Sequence, residues 1–339
     1  MDNKIAIEQQ KTPDILSWVS EQDVTSLRHF LTDDIARLLL CIGSGGSYST
    51  CELVALAYGV NGGIAKSLTP YSVYALDESI LAKCKVLLIS NSGHNKDIVA
   101  IAKVCMKLNP KWTANLSTAD GPRNDLKSIV APENSFNYKS NIKDGFISVN
   151  SVTANYALIL RAFGMTQITS DIEKSETTPN FATINHFIVL YGGWGEPAAI
   201  DFESKLVERG TATCAVSDFR NFCHGRFIFP GNHSGHEKKA EVPADCAVVM
   251  LSTPREKPLV DRLISLLPDR CNVIHIHCDF TDSLAALDLL LKASNLAGEI
   301  TFSKDIDPIN PKNYSNIDKR KPLQIPFISD LKAFGPMKI

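Results

Sequence analysis

Four stretches of this sequence share one pattern, in which an apolar run of strand length ends in small residues and a helical pattern follows. Two of these runs lie in the first half, at 38–42 and 85–92, and two lie in the second half, at 187–191 and 246–252. A third run in each half follows at 113–116 and 272–277. Strands that alternate with helices pair in parallel through right-handed crossovers. The sequence therefore predicts an α/β fold with one doubly wound parallel sheet in each half.

A polar segment separates the two repeats. Residues 170–180 are rich in Ser, Thr, Asp and Glu and carry no apolar period, which is typical of a linker. This division predicts five parts: an N-terminal helical segment at 1–35, a first domain at 36–169, a linker at 170–180, a second domain at 181–304 and a C-terminal tail at 305–339.

Composition excludes several classes of function. The 339 residues are 44% hydrophobic and carry a formal net charge of only -2, which argues against nucleic acid and anionic membranes as partners. The sequence has neither an apolar run of about 18 residues nor a secretory signal at its polar start. Nine cysteines without a Cys-x-x-Cys pair fit reduced thiols. We therefore expect a cytoplasmic protein without a membrane span or a structural zinc.

The end of the second apolar run has the residues of a phosphate site. Ser90 and Ser92 offer hydroxyl donors, Gly93 lets the backbone approach closely, and the N–H groups of the following helix favour an anion. A Ser-x-Ser-Gly turn alone is equally typical of a helix cap. The first run also ends in a Gly/Ser turn, at 43–49, so two strand ends are expected to converge on one ligand.

These motifs resemble the sugar isomerase (SIS) fold of phosphosugar isomerases and deglycases, including the isomerase half of glucosamine-6-phosphate synthase. The phosphate motif of that family is similar to 90–93, with Asn95 replacing its final hydroxyl residue, and its Gly-Thr-Ser turn is similar to 45–47. Segment 145–148 falls where the family places a loop over the sugar. The resemblance implies two flavodoxin-like SIS domains in tandem. It also implies that substrate is bound by Ser47, Ser90, Asn91, Ser92, Gly93, Asn95 and Ser148.

The second half carries the family's catalytic pattern. Lys205 precedes Glu208 by three residues, and His224 follows that glutamate by sixteen. The resemblance assigns proton transfer between sugar carbons to Glu208, ring opening to His224 and stabilisation of the oxyanion to Lys205. In several relatives the histidine comes from the neighbouring subunit, which implies a homodimer or a higher homo-oligomer. The spacing of Lys205 and Glu208 is also that of an ordinary exposed helical ion pair.

The resemblance implies a cofactor-independent and metal-independent enzyme that acts on a phosphorylated sugar. The reaction is expected to be aldose–ketose isomerisation or deglycation of a 6-phosphorylated ketosamine, through an enediol or an enediolamine. A non-catalytic phosphosugar sensor is the alternative. Asn316 stands at the place of the synthase's imine-forming lysine, and Asn221 and Arg226 differ from the residues that flank the family's histidine.

We expect no ligand at the remaining histidines or at the strand ends of the second repeat. We expect His275 and His277 to be packed side chains, and His233 and His236 to lie in a solvated loop, with no metal at either pair. The second repeat is predicted to hold no phosphate, because Pro254 lacks an N–H and no residue corresponds to Gly93.

Overall fold

The computed structural model describes residues 11–119, 124–140, 144, 147–166, 181–233 and 245–306. The described chain divides into two compact units. One unit contains the described residues of 11–144 together with 150–166, and the other contains 147–149 and 181–306. Each unit is built on one parallel sheet.

The first unit has five strands. They are β1 Leu39–Ile42, β2 Ala65–Leu68, β3 Lys85–Ile89, β4 Thr113–Ala119 and β5 Ser135–Ser140. Their order in the sheet is β2-β1-β3-β4-β5, and every pair is parallel. All residues of β1 and β3 are buried, as expected for central strands that are covered on both faces.

Eight helices surround this sheet in the described residues of the first unit. They are α1 Thr12–Ser20, α2 Thr25–Thr32, α3 Gly46–Val60, α4 Pro70–Val73, α5 Glu78–Leu81, α6 Lys96–Leu108, α7 Asp125–Ile129 and α8 Asn150–Ala162. Helix α8 is buried over its whole length apart from Arg161. The Arg161 guanidinium donates to the carbonyl oxygens of Val19 and Gln22 at 2.5 and 2.6 Å, which fastens the end of α1 to α8.

The second unit repeats this plan with four strands. They are β6 His186–Tyr191, β7 Thr213–Asp218, β8 Cys246–Ser252 and β9 Asn272–His277. The strand order is β7-β6-β8-β9, again all parallel. The α-helices described in this unit are α9 Glu196–Glu208, α10 Phe219–Asn221, α11 Ile228–His233, α12 Lys257–Ile264 and α13 Leu284–Ser303.

The predicted α/β class with two parallel sheets is confirmed. Three strands were not predicted from the sequence. These are β2, β5 and β7, and each is an edge strand. Edge strands bury less apolar surface than central ones, and the sequences of these three are largely polar, so no apolar run marks them. The domain boundaries stay a prediction. No helix in the described ranges is long and apolar enough to span a membrane.

Candidate functional site

The first sheet has a crevice between β1 and β3. The chain runs from β1 to β2 on one side, while β3 lies on the other side, so the connections that leave β1 and β3 diverge. In doubly wound sheets, ligands bind at the carboxyl ends of the strands at such a switch point. The two Gly/Ser loops identified in the sequence lie here, after Ile42 and after Ile89.

The β1 loop presents an uncapped helix start. Gly45 adopts φ 56° and ψ -134°, a conformation that favours glycine, and α3 begins at the next residue without a side-chain cap. Ser47, the second residue of α3, is half-buried. The N–H groups of Ser47 and Tyr48 donate to the carbonyl oxygens of Ser44 and Gly45 at 3.1 and 2.8 Å, so what this helix end can offer to an anion is its dipole.

The β3 loop turns tightly around Gly93. Its N–H donates to the carbonyl oxygen of Ser90 at 3.1 Å, and its φ is +67°. A Cβ at this position would also collide with the side chain of Asn124. Gly93 is therefore required both by its backbone conformation and by close packing. Ser90 is buried, while Ser92 is half-buried.

The two asparagines of this loop are engaged in structural hydrogen bonds. The Oδ1 of Asn91 accepts from the Thr118 hydroxyl at 2.5 Å. The Oδ1 of Asn95 accepts from the N–H groups of Asp97 and Ile98 at 3.1 and 3.2 Å, so Asn95 is the N-cap of α6. The Asn95 residue thus occupies two of the helix N–H groups that a phosphate would otherwise meet, and only its amide NH₂ can donate to a ligand.

A network of polar side chains supports the loop from behind, and sequence reasoning missed it. The Oδ1 of Asn137 accepts from the Ser117 hydroxyl at 2.5 Å and from the Asn124 amide at 2.9 Å. Asn124 also caps α7 through the N–H of Lys127. The only sequence signal was the alternation of small polar residues along β4 and β5. This network fixes the side chain that packs against Gly93.

Ser148 lies in the other unit, within the described segment 147–149. Its side chain is half-buried, between the buried Ile147 and Val149. Its predicted contact with the sugar stays a prediction.

The corresponding crevice of the second sheet, between β6 and β8, contains a carboxylate. Glu256 accepts from the N–H of Thr253 at 3.1 Å and from its hydroxyl at 2.5 Å. A Cβ on Gly192, in the loop after β6, would meet the side chain of this glutamate. The carboxylate takes donors that an anionic ligand would need, and the absence of a phosphate site in this repeat stays a prediction.

Helix α9 carries Lys205 and Glu208, and they do not pair with each other in the structure. The ammonium of Lys205 donates to the carboxylate of Asp201, and both side chains are 2% exposed. The exposed Glu208 instead accepts from the Ser204 hydroxyl at 2.5 Å. The interpretation of Lys205 and Glu208 as an exposed ion pair is therefore wrong, because Lys205 is on the buried face of the helix.

Glu208 and His224 lie at opposite ends of the strands of the second sheet, Glu208 at the amino ends and His224 at the carboxyl ends. Glu208 ends α9, which returns the chain to the amino end of β7, whereas His224 follows the carboxyl end of that strand. The six residues of β7 span about 20 Å at about 3.3 Å per residue. Within one chain, the sheet therefore separates the two side chains.

His224 is exposed in a wide helical turn, Phe222–Arg226, that connects α10 to α11. The next residue, Gly225, has φ 109° and open space around its Cβ position. Gly225 is therefore required for its backbone conformation rather than for close packing. The helical conformation is interrupted at His224 and Gly225, so the chain changes direction there.

Solved structures share this fold, although no protein-family model and no curated protein sequence matches the chain. Tagatose-6-phosphate ketose/aldose isomerase from Escherichia coli superposes with a TM-score of 0.69 at 16% identity, over 95% of this chain and 97% of that one. Glucosamine-6-phosphate deaminase from Thermotoga maritima gives a TM-score of 0.64 at 14% identity, over 91% and 98%. The C-terminal domain of glucosamine-fructose-6-phosphate aminotransferase from Francisella tularensis gives 0.64 at 14%, over 90% and 96%.

The chain has the SIS fold. The resemblance predicted from the Gly/Ser loops is thereby confirmed. At 14–16% identity the likeness is one of fold, so substrate and reaction have to be argued from the residues of this chain.

Helix α9 carries a second acidic residue, Glu203, that the sequence analysis did not single out. Burial, and then the charge of Glu208, raise the pKa of Glu203 above its usual value. A carboxyl group with a raised pKa next to a second carboxyl is a candidate proton donor. Its only sequence signal was its position five residues before Glu208.

The two histidine groups singled out in the sequence have different surroundings. The hydroxyl oxygen of Ser252 lies 2.7 Å from Nε2 of His275 and 2.9 Å from Nδ1 of His277, so these two are packed side chains, as predicted. His233 is not in a solvated loop but ends α11 and contacts Asp245, which corrects that prediction. His236 lies outside the described residues. No group of three His, Cys, Asp or Glu side chains in the described ranges is arranged to hold a metal ion.

Proposed function

We propose that this protein is a tandem SIS-domain enzyme that binds a phosphorylated sugar and moves a proton between neighbouring carbons. The observation that carries the proposal is the switch point of the first sheet. There the uncapped start of α3 and the Ser90–Gly93 loop offer hydroxyls and a helix dipole to one phosphate, and the tight turn at Gly93 holds the loop in shape. The names of the structural neighbours, which refer to tagatose 6-phosphate and glucosamine 6-phosphate, support the same ligand class.

Glu208 is the proposed base for the carbon-bound proton. In the ketose-to-aldose direction, its carboxylate takes a proton from C1 as the C1–C2 double bond of the enediol forms. The carboxyl group, after partial exchange of this proton with solvent, then gives a proton to C2, so the carboxylate is regenerated. Its exposure and its hydrogen bond to Ser204 suit this role, because the carboxylate is both accessible and oriented. In a deglycase, the same enolisation would precede release of the amine.

His224 is proposed to act on the active site of a second copy of the chain. The separation of Glu208 and His224 across the sheet supports this, since one ligand could reach both only if the histidine came from another subunit. A mixture of Glu208→Gln and His224→Ala chains should then recover activity, because one of the two sites in a mixed dimer keeps both groups. If both variants fold and exchange subunits but the mixture stays inactive, the shared site is wrong.

Lys205 is proposed to act indirectly. Its ammonium is buried against Asp201, so its predicted stabilisation of the oxyanion would be exerted at a distance, from one helical turn before Glu208, rather than by direct contact. Ser47, Ser148 and the amide of Asn95 remain proposed substrate contacts.

Solvent exchange provides the test of this function. The protein is incubated in heavy water with fructose 6-phosphate and a panel of hexose and ketosamine phosphates, and C1 and C2 are followed by NMR. We expect deuterium incorporation in the wild type and its loss in Glu208→Gln, with Glu133→Gln as a control at an exposed glutamate of the first unit. Exchange that persists in Glu208→Gln would remove Glu208 from the mechanism.

A sensor without catalysis is the second candidate function. The burial of Lys205 against Asp201 favours it, because this lysine is not free to meet a reacting oxygen directly. In the same experiment, ligand-induced resonance shifts without deuterium incorporation would support the sensor.

A further inference from the structure

Helix α6 borders an open groove on the first unit, which we call the α6 groove. It has a volume of about 500 Å³, within the range of about 300–1,000 Å³ that small-molecule sites occupy. One row of α6 side chains in the groove is apolar and half-buried, namely Ala100, Val104 and Leu108. The neighbouring row contains the exposed Lys103 and Lys107. The groove therefore combines an apolar surface with two basic side chains.

The charges of Lys103 and Lys107 are not neutralised by neighbouring groups. Neither ammonium forms an ion pair or a hydrogen bond with any residue that the structure describes. Residues four apart lie side by side on a helix, and two like charges at that spacing repel each other. A phosphate monoester carries a charge of about -1.5 to -2 at pH 7, so one such group between the two ammonium groups would balance both.

A second wall of the groove comes from the segment that joins α4 to α5. Tyr74 follows α4 and is half-buried, so part of its side chain is open to the groove. An aromatic ring provides a surface on which a nucleobase can stack. Glu78 begins α5 and is exposed in the same groove. A carboxylate accepts hydrogen bonds from hydroxyl groups, as in sites that hold the ribose of a nucleotide.

The α6 groove also contacts the starts of the two helices next to the β3 loop. Lys96 and Asp125 line it, and they are the first residues of α6 and α7. The preceding residue of α7, Asn124, is the one that packs against Gly93. The N–H of Leu126 donates to the carbonyl oxygen of Gly93 at 3.0 Å. A ligand in the groove would therefore lie against residues that directly adjoin the supports of the β3 loop.

We propose that the α6 groove binds a nucleoside monophosphate, which regulates the β3 loop through the starts of α6 and α7. The phosphate lies between Lys103 and Lys107. The ribose hydroxyls donate to Glu78, and the base stacks on Tyr74. The existence of this site is independent of the proposed function, whereas its effect on phosphosugar affinity rests on that function. By linkage, each ligand should change the affinity of the other by the same factor.

Isothermal titration of the full-length protein tests the binding site. The probes are AMP, GMP, CMP and UMP, with inorganic phosphate as the component without a nucleoside. We expect at least one monophosphate to bind, and the double variant Lys103→Gln/Lys107→Gln to raise its Kd by about 10-fold or more. Glu78→Gln should also raise that Kd, because an amide accepts fewer hydrogen bonds than a carboxylate. Lys66→Gln, at an exposed lysine of β2 outside the groove, is the matched control and should bind like the wild type.

Three results would overturn the site. The first is a folded double variant that keeps the wild-type Kd, which would place the nucleotide elsewhere. The second is inorganic phosphate that binds as tightly as the monophosphates, which would exclude the contacts of the nucleoside with Tyr74 and Glu78. The third is that none of the four monophosphates binds the wild type.

Amide NMR and competition with a sugar phosphate test the regulation. The bound monophosphate should shift the signals of Val104 and Leu108 in the groove and also those of Gly93 and Asn124. It should change the Kd of fructose 6-phosphate in the wild type but not in the double variant. Shifts confined to the groove, or an unchanged Kd, would refute the regulation. If the nucleotide binds and shifts Gly93 while no sugar phosphate binds, the groove stands as a site and the proposed function fails.

Discussion

The ammonium of Lys85 lies 2.7 Å from the carbonyl oxygen of Asp33 and 5.2 Å from the ring centroid of Phe30. The side chain is fully buried at the start of β3, and burial lowers the pKa of Lys85 from 10.5 to about 8. Because the unfolded chain then binds more protons than the folded one between these values, stability should rise with pH from about 8 to 10.5 and level off above.

This pH dependence should disappear in Lys85→Met. The fall in pKa from 10.5 to about 8, at about 1.4 kcal/mol per pH unit, corresponds to about 3 kcal/mol. We expect the free energy of unfolding of the wild type, measured by denaturant titration, to gain about that amount relative to Lys85→Met between pH 7 and pH 10.5. Lys83→Met, at an exposed lysine nearby, should keep the wild-type profile. Parallel profiles for Lys85→Met and the wild type would contradict the assignment.

Gly93→Ala should weaken both the fold and the phosphate site. The φ of +67° and the contact with Asn124 each disfavour a Cβ, so we expect a loss of about 1–3 kcal/mol of stability and of measurable phosphosugar binding. Adding Asn124→Ala relieves the collision but not the backbone strain, so the double variant should recover only in part. Gly59→Ala is the control, because Gly59 lies in helix α3 with open space around it and should gain about 0.5–1 kcal/mol. Calorimetric unfolding and phosphosugar titration measure both effects, and wild-type binding by Gly93→Ala would exclude this loop from the site.

Acidification should destabilise the second unit through His275. Burial, followed by the neighbouring His277, lowers the pKa of His275 below 6.5. The unfolded chain therefore takes up this proton first, and the stability that depends on a neutral His275 is fully present above pH 6.5 and is lost as pH falls below it. Replacing His275 with Gln should flatten the stability profile between pH 6.5 and 5, as followed by urea unfolding. A profile that keeps the wild-type slope would assign the acid sensitivity to other groups.

The central strands could be predicted from the sequence because they are buried on both faces. β3 and β8 contain continuous apolar runs. The two Gly/Ser loops marked in the sequence follow β1 and β3. Edge strands such as β7 gave no such signal. The position of the loop serines at the carboxyl end of β3 was also expected from the sequence, while their contact with a phosphate stays a prediction.

The partners of the candidate site residues could not be predicted from residue spacing alone. The spacing of Lys205, Glu208 and His224 did not reveal that Asp201 takes the lysine, or that a strand separates the glutamate from the histidine. His233 looked solvated because its partner, Asp245, lies beyond a polar segment in the chain. The separation of Glu208 from His224 and the contact of His233 with Asp245 depend on the path of the sheet, which local patterns do not contain.

Ser92→Ala offers the most direct test of the phosphate loop. Its hydroxyl is expected to donate to a phosphate oxygen, and a hydrogen bond to a charged group contributes about 1.5–3 kcal/mol, so the Kd for fructose 6-phosphate should rise about 10- to 100-fold. Binding of unphosphorylated fructose should not change, because it lacks the group that Ser92 meets. Ser128→Ala, at an exposed serine whose hydroxyl donates to the carbonyl oxygen of Asp125, is the matched control. Isothermal titration of the three proteins with both sugars decides the question: equal affinity of wild type and Ser92→Ala for the phosphorylated sugar would place the phosphate elsewhere.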